Sequence, residues 1–140
     1  MKISRKADYA LRAVVFLSKQ PDEKRSSINE IAESEEIPRD FLAKILKDLT
    51  RAQILRSYQG VRGGYRLAKD ANKINMLEVI ESMDGPIGVS QAMRDKADYA
   101  GMYPFWNQLQ NDVMKSLASQ SINDFGGTRK RGRSRSKAKK

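Results

Sequence analysis

The chain has 140 residues, enough to bury one modest core but hardly two, so a single compact domain with appendages is expected and a large catalytic fold is excluded. Cysteine and histidine are both absent, which removes disulfides, thiolate clusters, imidazole metal sites and the Ser-His or Cys-His catalytic pairs. Net charge is +10, but residues 129–140 carry 8 Lys and Arg with no acid, and taking those 8 from +10 leaves only +2 for residues 1–128.

From Ser4, the apolar residues Ala7, Ala10, Leu11, Val14 and Leu17 fall at helical spacing and Pro21 ends the run, which predicts a first helix over 4–20 with one broad apolar side. Ser27-Ile28-Asn29-Glu30 matches a capping box, in which the serine hydroxyl takes an orphan N–H and the glutamate reaches back. A short helix to about Ser34 follows, with Ile28, Ile31 and Ala32 inward. Glu33, Glu35 and Glu36 read as its solvated acidic end.

Pro38 suits the first position of a new helix, because its φ is fixed and it lacks an N–H. Phe41, Leu42, Ile45, Leu46 and Leu49 then form a core stripe ending near Ala52. The opposite face presents Asp40, Lys44, Lys47 and Arg51. Ile54 to Tyr58 and Tyr65 to Ala68 read as strands around the six-residue, three-glycine loop Gln59-Gly60-Val61-Arg62-Gly63-Gly64. That loop lacks the Lys-Ser/Thr ending and the strand-to-helix setting of a nucleotide-binding P-loop.

Asn75-Met76-Leu77-Glu78 is a second capping box, and Ile74 ahead of it is placed to staple onto Val79. A short helix to about Met83 closes a domain over residues 1–84. Residues 85–102, entered through Asp84-Gly85-Pro86, read as a connector. Over 103–122, Trp106, Leu109, Val113 and Leu117 share one helical stripe. An apolar stripe on a projecting helix needs a cover, so these four are candidates for a dimer interface over 103–125. Residues 126–140 have no apolar side chain larger than alanine and are expected to be a disordered basic tail adding phosphate attraction or solubility.

This order defines a mainly α fold with a small β-hairpin: a winged helix-turn-helix followed by a long C-terminal dimerisation helix. Double-stranded DNA is the expected partner. The 38–52 helix would enter the major groove with Arg39, Asp40, Lys44, Lys47 and Arg51, while Gln59 and Arg62 act from the wing. Each feature alone also reads as an ordinary solvated face or an ordinary hairpin; the combination favours DNA. An RNA- or ribosome-associated protein led by its tail, and a protein-interaction module, are the competing readings. No catalytic residues and no metal or other cofactor can be named. Nowhere do apolar residues run for the roughly 18 needed to span a bilayer, so a cytoplasmic protein without a membrane partner is expected.

The chain resembles the Rrf-two type of bacterial winged helix-turn-helix transcription regulators (IscR-, NsrR- and CymR-like). The resemblance rests on Ser4-Arg5-Lys6-Ala7-Asp8-Tyr9-Ala10, on Ile28 to Ile37 with Phe41-Leu42, on Leu49, on Gly60-Val61-Arg62-Gly63-Gly64-Tyr65-Arg66-Leu67, and on Ala71 with Glu78-Val79-Ile80. It is close over about residues 1–84 and weaker to about 125. It implies a homodimeric regulator, usually a repressor of a palindromic promoter, whose long helix crosses to the partner subunit. Many members hold an iron–sulfur cluster through three connector cysteines; residues 90–103 here contain neither Cys nor His, so the resemblance implies a cluster-free member answering to a small molecule or a protein. Members place Arg just before the first wing glycine, where this chain has Gln59.

Overall fold

A computed structural model describes residues 3–88 and 101–126. The expected connector over 85–102 and tail over 126–140 therefore lie largely outside the described residues.

Among the described residues, five helices, a hairpin and a terminal helical turn follow in chain order: α1 (Arg5–Ser18), α2 (Ile28–Glu35), α3 (Arg39–Arg51), β1 (Leu55–Tyr58), β2 (Gly64–Leu67), a 3-10 turn at Ala71–Lys73, α4 (Met76–Asp84), α5 (Tyr103–Ala118) and α6 (Asn123–Gly126). This is the winged helix-turn-helix order. Ser4 starts α1 by accepting from the Ala7 N–H at 3.0 Å, and its own hydroxyl and N–H donate to the Asp84 carboxylate at the end of α4. Along α1 the buried residues are Ala7, Ala10, Ala13, Val14 and Leu17, with Ser18 at its end. Three alanines on that face let α3 and α4 approach the α1 backbone closely, where larger side chains would hold them off.

The capping box at Ser27 forms in both directions, with Ser27 N–H to Glu30 Oε1 at 2.8 Å and Glu30 N–H to Ser27 Oγ at 3.1 Å. A hydrogen bond from Lys24, then the one from the Ser27 backbone, holds the Glu30 carboxyl below its usual range. A depressed carboxylate pKa favours the fold above the ordinary value and loses that contribution as pH falls through the folded one. Replacing Ser27 with alanine should cost about 1 kcal/mol, read as a drop of roughly 3–5 °C in melting temperature. An unmoved melting curve would show that α2 is held by packing alone.

Helix α2 ends at Glu36, which adopts a left-handed conformation at φ 55°, and the Ile37 N–H returns to the Ala32 carbonyl at 3.1 Å. Arg12 of α1 donates to the Glu35 carbonyl at 3.0 Å, satisfying another of the orphan acceptors at that helix end. Pro38 is the N-cap of α3 at ψ 131°, one position before the helix and not its first residue as expected. Leu42, Ile45, Leu46 and Leu49 are fully buried, whereas Phe41 is 37% exposed. Phe41 instead meets the edge of Tyr9 at 5.6 Å, because it stands at the margin of the stripe and not at its centre.

The hairpin pairs Leu55 with Leu67, Arg56 with Arg66, Ser57 with Tyr65 and Tyr58 with Gly64. Gly64 thus belongs to β2 and the connecting loop is one residue shorter than expected. Ser26, in the α1–α2 loop, bridges to Tyr65 on the other edge of β2, through N–H···O bonds of 2.9 and 2.8 Å.

The second capping box also forms, with Asn75 and Glu78 exchanging bonds of 3.2 and 2.9 Å. Ile74 and Val79 are both fully buried, as a staple requires. Helix α5 stops at Ala118 instead of running to Ile122. The chain then folds back, with Met76 N–H to Gln120 O at 3.0 Å and Ile122 N–H to Ile74 O at 2.8 Å, so that Ile122 is fully buried. Burying that side chain in the α1/α4 core replaces another turn of helix. Among the described residues no helix is long and apolar enough to cross a membrane.

Candidate nucleic-acid interface

Asp40, Lys44, Lys47 and Arg51 recur at intervals of four and three residues, so one helix face carries them all. All four are exposed, and the four fully buried residues of α3 occupy the opposite face. Packing those three leucines and one isoleucine against α1 and α4 turns the charged face outward. Lys44 and Lys47 form no ion pair among the described residues. Arg51 is 3.3 Å from Asp48, an exposed pair of the kind that contributes little and yields easily to a phosphate. Arg39 lies on the flank of this face, its Nε donating to Asn29 Oδ1 at 2.7 Å. That bond ties the start of α3 to the start of α2.

The wing loop closes through the Gly63 N–H to the Gly60 carbonyl at 2.9 Å. Gly60 takes φ +92° and Gly64 φ +141°, backbone conformations that favour glycine. Val61 and Arg62 are exposed at the tip and Gln59 is exposed beside them. No hydrogen bond or ion pair among the described residues joins Gln59 or Arg62 to the α3 face.

Four residues around the wing escaped sequence reasoning: Arg25, Arg56, Tyr58 and Arg66. Arg66 donates from Nε to the Tyr58 hydroxyl at 2.9 Å and from Nη1 to Glu23 at 2.6 Å. The Glu23 bond, then the Tyr58 bond, raises the Arg66 pKa. Partial burial pushes the Tyr58 phenol up, but hydrogen bonds and positive charge from Arg66 and Arg56 outweigh it and bring the phenol below its ordinary range. The available signal was one arginine in each strand, which the hairpin register sets face to face, Arg56 opposite Arg66. Like charges facing across a hairpin need an acceptor between or beside them, and Tyr58 and Glu23 supply it.

The proposed interface stripe on α5 divides. Trp106 is 36% and Leu109 42% exposed, and Trp106 stacks edgewise on Phe105 at 5.1 Å. Val113 is half-buried. Leu117 is half-buried against the chain's own core, because the fold-back at Ile122 anchors that end of α5.

An iron–sulfur cluster requires thiolate donors, with histidine or another residue sometimes replacing one. The full sequence has no Cys or His, and among the described residues no three carboxylates gather in a metal-holding group. The residues present do not fit such a cluster.

The sequence profile of the Rrf2 family, described as iron-dependent transcriptional regulators, matches residues 3–127. A protein of Synechocystis sp., provisionally named an HTH-type transcriptional regulator, is 32% identical over 128 residues, covering 89% of this chain and 87% of that one. The HTH-type transcriptional regulator CymR of Bacillus subtilis is 27% identical over 125 residues, covering 89% of each. The solved structure of CymR, the global cysteine regulator of B. subtilis, superposes with a TM-score of 0.80 at 25% identity, covering 91% of this chain and 97% of that one. With a winged helix-turn-helix, an outward cationic face on its second helix and a family match over nearly its whole length, the chain belongs to the Rrf2 family of DNA-binding transcription regulators and is not an enzyme.

Proposed function

We propose that this chain is a homodimeric, sequence-specific repressor that works without an iron–sulfur cluster. The observation that carries the reading is the α3 face: Lys44 and Lys47, unpaired among the described residues, stand with Asp40 and Arg51 opposite four fully buried side chains. Lysines so placed reach guanine edges or phosphates in a major groove, and Asp40 accepts from a cytosine amine. Arg39 sets the start of the helix, and Gln59 and Arg62 act from the wing. Trp106, Leu109 and Val113, with Leu117 at the anchored end, give a second copy an apolar face on α5. With cluster ligands absent, a small molecule or a partner protein supplies the signal.

Selecting bound fragments from the source genome with the full chain tests this reading. The recovered sequences should share an inverted repeat with half-sites about one DNA turn, or a small multiple, apart, and the chain should sediment as a dimer. Transcription from a promoter bearing the repeat should fall when the protein is added. Fragments with no shared sequence would defeat specific recognition, and a monomer at micromolar concentration would defeat the two-fold arrangement.

A further inference from the structure

Arg25 reaches the wing from the α1–α2 loop, far away in sequence. Its guanidinium carbon lies 3.6 Å from the centroid of the Tyr58 ring, and Nη1 donates to the Arg62 carbonyl at 3.3 Å. The residue is exposed, and no ion pair among the described residues neutralises it. Arg66, on the same tyrosine, is answered by Glu23 at 2.6 Å. The Arg62 side chain differs again: it makes no hydrogen bond or ion pair among the described residues. Beside Arg56 on β1, the other three arginines of the wing are thus in three conditions: one neutralised, one unheld, and one held in place with its charge open.

A guanidinium held over the face of an aromatic ring is restrained in position, and among the described residues only one of its five donors is used. Such a group loses little side-chain entropy when it takes a phosphate, and its planar fork matches two phosphate oxygens. We propose that Arg25 is a DNA-contacting residue, a pre-organised phosphate clamp at the base of the wing, which also positions the loop through the Arg62 carbonyl. Tyr58 is the platform that holds it. This inference rests on the reading of the chain as an operator-binding protein.

The test is operator binding by the full chain across a range of salt concentrations, for wild type, R25A, R62A and the double variant, each checked for an unchanged melting curve. Removing Arg25 should weaken binding roughly tenfold and lower the slope of log K against log salt by about 0.9, the share of one phosphate. The same loss of slope should appear when Arg62 is already gone. If Arg25 only braces the loop, its removal has no further effect in the R62A background, and that result overturns the proposal. Unchanged affinity and slope for R25A beside intact wild-type binding overturns it while leaving the operator reading in place. A wild-type chain that binds no duplex overturns both.

Discussion

Replacing Lys44 and Lys47 together with glutamate is expected to abolish operator binding while leaving the protein folded. Both side chains are exposed on α3, and neither forms an ion pair among the described residues, so the fold gives up no internal pairing. The substitutions place like charges four residues from Asp40 and near Asp48, a cost of a few tenths of a kcal/mol per pair. That is small beside the roughly 5–15 kcal/mol that holds an ordinary domain together. At the DNA the balance is reversed. Each lysine removed forfeits about 0.9 of the salt slope if it holds a phosphate, or about 1–3 kcal/mol of discrimination if it reads a base. The new carboxylates also meet a polyanion. A loss of more than about 100-fold in affinity is expected, measured by fluorescence anisotropy at fixed salt, with circular dichroism to show that the helices remain. Binding within a few-fold of wild type would mean that α3 does not face the DNA. Single alanine substitutions then separate the roles: removing a side chain that reads a base relaxes preference at one operator position, whereas removing one that holds a phosphate weakens binding to all sequences alike.

Gly64→Ala should damage stability and binding at once. Gly64 opens β2 at φ +141°, and a Cβ there would stand 2.7 Å from the Ser26 carbonyl oxygen. The neighbour is backbone and cannot swing aside. Relief requires giving up the Ser26–Tyr65 bridge, whose two bonds measure 2.9 and 2.8 Å. Strained backbone costs about 1–3 kcal/mol, and each backbone bond broken adds about 0.5–1.5 kcal/mol. A destabilisation of roughly 2–5 kcal/mol should appear in urea unfolding, a large share of a marginal total. Gly60→Ala is the control. Gly60 also has a positive φ, +92°, but a Cβ there meets nothing within 4 Å, so only the conformational strain remains. Equal losses at the two positions would show that the close approach of Ser26 to the wing contributes nothing.

The same contrast explains what could be read before folding. Both capping boxes were legible because a cap is a reciprocal bond between residues three apart, Ser27 with Glu30 and Asn75 with Glu78, and forms wherever a helix starts. The stripe of α3 was legible for a similar reason, since Leu42, Ile45, Leu46 and Leu49 share a face by helix geometry alone. Its outward complement, Asp40, Lys44, Lys47 and Arg51, came with it. The wing's existence was legible from its glycines, but its surroundings were not. Ser26 pairing with Tyr65, Arg25 lying on Tyr58, and Ile122 turning back to Ile74 join residues far apart in sequence, with no local pattern to announce them.

The amino-acid sequence by itself thus determined the order of elements, the charged face of α3 and the lack of cluster ligands, because periodicity, capping and donor chemistry are properties of short stretches or of composition. Only the tertiary structure decided which arginines at the wing are neutralised and which are open, and which end of α5 is anchored. Those outcomes depend on where the α1–α2 loop and the end of α5 come to rest, and packing of the shared core places them there.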